Sequence, residues 1–159
     1  MPIEPKQKIP SVKIKQATAS GAIEVDPSVL FAGKKVIMFS LPGAFTPTCS
    51  SKHLPSYLAR YDELRAKGVD LIACLSVNDS YVMQAWAEQQ GVGNKILMLA
   101  DGDALFARAL GIDYPAGGMG TRARRGLFVI NGGVIESVDI EQPGKYEVSG
   151  AEACMLRVG

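Results

Sequence analysis

A chain of 159 residues can bury the core of one domain and leaves no room for a separate substrate domain, so 1–159 is read as a single unit. With 47% hydrophobic and 21% charged residues and a formal charge of +1, the composition is that of a folded soluble protein without a general pull on nucleic acid or anionic lipid. No apolar run approaches the roughly 18 residues of a membrane span, and the opening MPIEPKQKIPSVKI carries an acidic residue and early prolines where a leader would be apolar.

The first residues are expected to hang loose before a first strand. KIKQAT (13–18) and GAIEVD (21–26) read as an early hairpin, and VIMFSL (36–41) as a buried strand. Leu54, Tyr57, Leu58, Tyr61 and Leu64 recur at spacings of three and four, one face of a helix ending near Gly68. VDLIACLSV (69–77) is the next buried strand. A helix over 79–90, a strand at KILMLA (95–100) and a short helix near 103–110 follow. RGLFVI (125–130) and VIESVDI (134–140), separated by NGG, predict an antiparallel hairpin. SGAE (149–152) reads as a capping box before a last helix carrying Cys154. Together these elements make a mixed α/β sheet covered by helices, and the thioredoxin type is the small fold of this layout.

Cys49, Cys74 and Cys154 form no CxxC pair and are too few for a disulfide scaffold, which points to a reducing compartment, the cytoplasm by default. In LPGAFTPTCSSKHL (41–54), Thr46 reads as an N-cap and Pro47 as the first helical residue, so Cys49 falls in the first turn. Unpaired amides and the positive helix end favour a thiolate there over a thiol. Cys74, inside an apolar strand, reads as a buried hydrophobe. His53 lies four residues after Cys49, which leaves it open as a base, as part of a polar pocket or as an ordinary hydrogen-bonded residue. A zinc site needs about four ligands, and only Cys49 and His53 are close in sequence, so no metal is expected. The basic run RARR (122–125) reads, by itself, as a solvated loop.

PGAFTPTCS, with Pro42, Thr46 and Cys49 in the pattern P-x3-T-x2-C, resembles the active-site motif of peroxiredoxins. SVNDSYVMQAWAEQ (76–89), LADGD (99–103) and GMGTRARR (118–125) are similar to the subfamily of plant type II peroxiredoxins and animal peroxiredoxin 5, and the likeness runs from about residue 12 to 153. The resemblance implies a thioredoxin-like fold, a central mixed β-sheet flanked by helices with an N-terminal hairpin extension. It makes Cys49 the peroxidatic cysteine, Thr46 the hydroxyl that bonds thiolate and peroxide, Pro42 the shield of the loop, and Arg125 the cation beside the sulfur. It implies no cofactor. The substrate would be hydrogen peroxide or an alkyl hydroperoxide, attacked to give a sulfenic acid. Glutathione with glutaredoxin, or thioredoxin, would recycle it.

Cys74 matches a second cysteine of plant type II members, whereas the resolving cysteine of animal peroxiredoxin 5 aligns near Ser149. Gly126 replaces an aromatic residue often found after the family's arginine, which is expected to open the pocket. Relatives are homodimers, so a homodimer is expected, with no nucleic-acid or membrane partner. The rival readings are a thiol–disulfide exchanger or peroxide sensor using Cys49, and a binding protein using the RARR run. With Arg125 taken as the cation, His53 is expected to be a bystander.

Overall fold

A computed structural model describes residues 1–158. Seven strands form one sheet in the order β2-β1-β5-β4-β3-β8-β9, where β1 is Ile14–Thr18, β2 Gly21–Val25, β3 Lys35–Leu41, β4 Leu71–Ser76, β5 Leu97–Ala100, β8 Gly126–Asn131 and β9 Val134–Ile140. The central strands β3, β4 and β5 are parallel, while β1, β8 and β9 join antiparallel. A separate small hairpin pairs β6, Asp113–Pro115, with β7, Thr121–Ala123.

The near-continuous apolar run of β3 is what a strand covered on both faces requires. Its period of two sends Ile37, Phe39 and Leu41 into one core with Cys49, Tyr57 and Trp86, and Val36 and Met38 into the other with Phe106 and Phe128. The helices are α1, Pro27–Leu30; α2, Leu54–Ala59; α3, Tyr61–Ala66; α4, Ser80–Gln90; α5, Leu105–Leu110; and α6, Ala151–Val158. The NGG turn forms as predicted, with Gly132 at φ 60° and Gly133 at φ 82°, the left-handed values that a tight hairpin demands.

Several expectations need correction. The helix predicted through 54–67 is broken at Arg60, whose φ of −101° and ψ of 9° separate α2 from α3. The opening residues do not hang loose. Ile3 donates to the Leu110 carbonyl, Lys6 to Ile135 and Ile9 to Gly133, each at 2.8 Å, and Ile9 is buried. SGAE is not a capping box, because the Ser149 hydroxyl donates to Glu141 while Ser56 Oγ accepts the Ala151 N–H at the start of α6. The early hairpin is part of the sheet, since β1 pairs with β5 as well as β2.

This topology converges on one place. β3 runs into the 42–46 loop, and β8, its antiparallel neighbour, begins at Gly126 opposite Ser40. Arg125 therefore enters beside the carboxyl end of β3, where sites of α/β sheets form.

Candidate active site

The helix that follows β3 begins at Pro47, and the Ser50 N–H donates to the Thr46 carbonyl at 3.0 Å. Thr46 thus occupies the capping position, but its hydroxyl does not accept an amide. It donates to the Gly43 carbonyl at 2.7 Å, which folds the loop back and leaves the oxygen's lone pairs unused. The Ala44 N–H donates to Asn78 Oδ1 at 2.9 Å, and the Ser76 hydroxyl donates to the same atom at 2.5 Å. The end of β4 therefore holds the loop from below. Within it Phe45 has a φ of 66°, a strained value for a side chain, with its ring half in solvent.

Cys49 lies in the first turn as expected, but Cys49–His53 is a π-helical turn. Leu54 N–H bonds the Cys49 carbonyl, one residue further back than in an α-helix. Pro55 supplies a cause: it has no N–H, and in a regular helix its ring would press on the carbonyl of Ser51. The Trp86 indole N–H donates to Ser50 Oγ at 2.9 Å and pins the turn to α4.

Cys49 is fully buried, and Arg125 Nη2 donates to its sulfur at 3.2 Å. This guanidinium and the open amides of the first turn favour negative charge on the sulfur. The second guanidinium nitrogen, Nη1, lies 2.8 Å from His53 Nδ1. His53 is buried among aromatic rings, its centroid 4.9 Å from Phe39, 5.8 Å from Tyr57 and 5.2 Å from Tyr146. Burial first, and the Arg125 charge second, push its pKa down to about 3, so the ring is neutral. Its Nε2 meets the Ser149 carbonyl at 3.0 Å, and the Tyr57 hydroxyl donates to the same oxygen at 2.6 Å.

Glu141 fixes that carbonyl. Its carboxylate accepts the N–H groups of Glu147, Val148 and Ser149 and the Ser149 hydroxyl, at 2.6 to 2.9 Å. Burial pushes the Glu141 carboxyl up, but the bonds from Ser149, Glu147 and Val148 outweigh it and hold its pKa below the ordinary value. The chain of contacts runs from Glu141 through Ser149 and His53 to Arg125 and the sulfur.

Pro42, Thr46 and Arg125 line a cavity of about 500 Å³, with Pro47, Tyr114, Met119 and Arg124 among its other walls. The structure thus gathers Pro42, Thr46, Cys49 and Arg125 at one place, and adds His53, which does not stand aside. A signal for it was present in the sequence, since Cys49, His53 and Tyr57 recur every four residues and Pro55 marks a helix that cannot be regular.

The other cysteines sit apart from the cavity walls. Cys74 is buried in β4 beside Phe39 and Met98, and burial pushes its thiol well above the ordinary value. Cys154, buried in α6, is pushed up to about 12 by the same cause. All three cysteines are unpaired.

The RARR run is not one basic patch. Arg122 donates to the Val77 and Met119 carbonyls at 2.9 and 3.0 Å, Arg125 turns inward, and only Arg124 is exposed. Gly126 does not open the pocket either. A Cβ there would lie 2.7 Å from Ile140 Cδ1 and 3.2 Å from the Asp139 carbonyl, so β9 already fills that space.

Comparison with known proteins agrees with this arrangement. The Redoxin family model matches residues 4–155. Peroxiredoxin-2E, chloroplastic, of Arabidopsis thaliana is 44% identical over 133 residues, covering 80% of this chain and 56% of that protein, so the chain spans little more than half of this relative. Peroxiredoxin-2C of Oryza sativa subsp. japonica is 43% identical over 125 residues, 77% of each chain. The crystal structure of reduced Prx3 from Vibrio vulnificus in complex with hydrogen peroxide superposes with a TM-score of 0.95 at 46% identity, covering 99% of both chains. With the family model spanning nearly all of it and these relatives matched so fully, the chain belongs to the peroxiredoxins, in their type II branch.

Proposed function

We propose that the chain is a thiol-dependent peroxidase in which Cys49 reduces hydrogen peroxide and alkyl hydroperoxides. The observation that carries this reading is the Arg125 Nη2 to Cys49 Sγ contact of 3.2 Å at the start of a helix, with Thr46 and Arg125 on the wall of one cavity. The thiolate attacks one peroxide oxygen, a sulfur–oxygen bond forms and the O–O bond breaks. The leaving oxygen takes the electron pair of the broken bond and the proton that the attacked oxygen carried, and departs as water or alcohol, while the sulfenate left on Cys49 takes up a proton from solvent. Arg125 and the first-turn amides stabilise charge on both oxygens, and Thr46, whose own proton is engaged by Gly43, accepts the peroxide O–H. Pro42 walls the cavity and keeps water from the sulfur.

The sulfenic acid then condenses with an external thiol, releasing water, and a second thiol frees Cys49 as a disulfide leaves. We assign that role to glutathione with glutaredoxin first and thioredoxin second. Supporting an external reductant, Cys74 and Cys154 are buried thiols whose pKa values burial raises, and the side chain of Ser149 has no sulfur. A homodimer fits the exposed Phe45 of the loop before Cys49 and the exposed Met119 of the cavity wall, and sedimentation velocity that finds a monomer at every concentration would reject it. The cysteine usage favours the cytoplasm, which imaging of the tagged chain would check.

The experiment that tests the central reading is peroxide consumption by the wild type and by Cys49→Ser, Cys74→Ser and Cys154→Ser, each with glutathione and glutaredoxin and with thioredoxin. Only Cys49→Ser is expected to lose the first oxidation. Retention of that single turnover would sink the assignment, and a rapid intramolecular disulfide after one equivalent of peroxide would sink the external-thiol step.

A further inference from the structure

The chemistry above uses Cys49, Thr46 and Arg125. Among the described residues one other side chain is hydrogen-bonded to the arginine, and none of those roles accounts for it. His53 Nδ1 is 2.8 Å from Arg125 Nη1, and its Nε2 is 3.0 Å from the Ser149 carbonyl. A guanidinium only donates and a carbonyl only accepts, so the partners assign the tautomer: Nε2 carries the proton and Nδ1 presents its lone pair to Arg125. A second proton on the ring would set N–H against N–H.

We propose that His53 is the positioning residue of Arg125, a neutral acceptor that aims the guanidinium at the Cys49 sulfur without cancelling its charge. Its functional meaning rests on the peroxidase reading above.

An arginine that must point in one direction is commonly held by a carboxylate through two parallel bonds. A carboxylate here would neutralise the charge the sulfur needs. Among the described residues none lies within ion-pair distance of Arg125: the pairs are Arg60–Glu63, Arg108–Asp113, Lys145–Glu147 and Arg157–Asp139. Glu141 is linked to Arg125 only through the backbone, its N–H donating to the Arg125 carbonyl at 2.9 Å, while its carboxylate faces the amides of 147–149. An imidazole gives the same directional bond and leaves the full positive charge for the sulfur.

The surroundings keep the ring in that state. Phe39, Tyr57 and Tyr146 enclose it, Tyr57 shares its carbonyl, and among the described residues no carboxylate is bonded to it. Glu141 in turn makes the Ser149 carbonyl a fixed point, so the ring cannot swing away from the arginine.

The test compares His53→Gln, His53→Glu and His53→Phe with the wild type. Two quantities are read: the pH midpoint of ultraviolet thiolate absorbance at Cys49, and the second-order rate of its oxidation by hydrogen peroxide in a single turnover. Cys74 and Cys154, both raised by burial, stay out of the titration. His53→Phe fills the space without an acceptor, and it is expected to move the midpoint upward and slow oxidation at neutral pH by about tenfold. His53→Gln can offer its carbonyl to Arg125 and is expected within about threefold of wild type. His53→Glu, equal in size to Gln, is expected to move the midpoint upward because it pairs with the arginine. If His53→Phe does not fold, the Gln and Glu variants decide by themselves. The proposal is overturned if the midpoint is the same in all folded variants, whatever happens to the rate. If wild-type Cys49 does not react with peroxide, the peroxidase reading falls, while the midpoints still decide the role of His53.

Discussion

At Thr46 the direction of one hydrogen bond determines what the residue can do. Because the hydroxyl gives its proton to the Gly43 carbonyl, the oxygen can only accept from a bound peroxide. Thr46→Val is therefore expected to slow oxidation of Cys49 by about 10- to 100-fold, and Thr46→Ser to stay near wild type, in stopped-flow measurements. A loss in Thr46→Ser with none in Thr46→Val would mean that the methyl group matters and the hydroxyl does not. Cys49, Thr46, Pro42 and Arg125 were legible because a helix start, a proline and a known motif place them. His53 was legible only as a neighbour of Cys49 in sequence: a single histidine in a helix has no visible partner until β8 brings Arg125 and the 141–149 loop brings a carbonyl.

Among the elements, the π turn Cys49–His53 is the departure that sequence periodicity could not show, since a pattern of three and four presumes α geometry. If Pro55 causes it, Pro55→Ala lets the turn close up, moving His53 away from Arg125. Oxidation by peroxide should slow several-fold while the fold gains about 1 kcal/mol or more, seen by stopped-flow and denaturant titration together. A loss of stability would assign the turn to packing against α4.

The segment from Glu141 to Ser149 is organised by a carboxylate, and its pH behaviour follows. The folded pKa of Glu141 lies below its unfolded value, so its contribution is full above the ordinary carboxylate range and is lost as pH falls through the folded value. Glu141→Gln puts an N–H₂ against donors and should cost about 2–4 kcal/mol at neutral pH. The difference from wild type should shrink in acid, and a constant difference across pH would contradict the assignment.

Across the whole molecule, the hydrophobic runs of β3, β4 and β8 and the NGG turn made the sheet readable, because buried strands and tight hairpins are written in local sequence. The β6–β7 hairpin and the docking of residues 3–9 against α5 and β9 were not readable, because each depends on an edge presented by a distant element. The same limit hid Glu141, whose partners follow it by six to eight residues in a stretch without helix or strand. Irregular backbone normally trades its amide protons with solvent in moments. Here the Glu147, Val148 and Ser149 amides point at a buried carboxylate, so deuterium should enter them as slowly as it enters a strand. A hydrogen-exchange map would thus carry an island of slow protons in a loop. Its loss on mutation or oxidation would report, from outside the cavity, that the arginine's support has come undone.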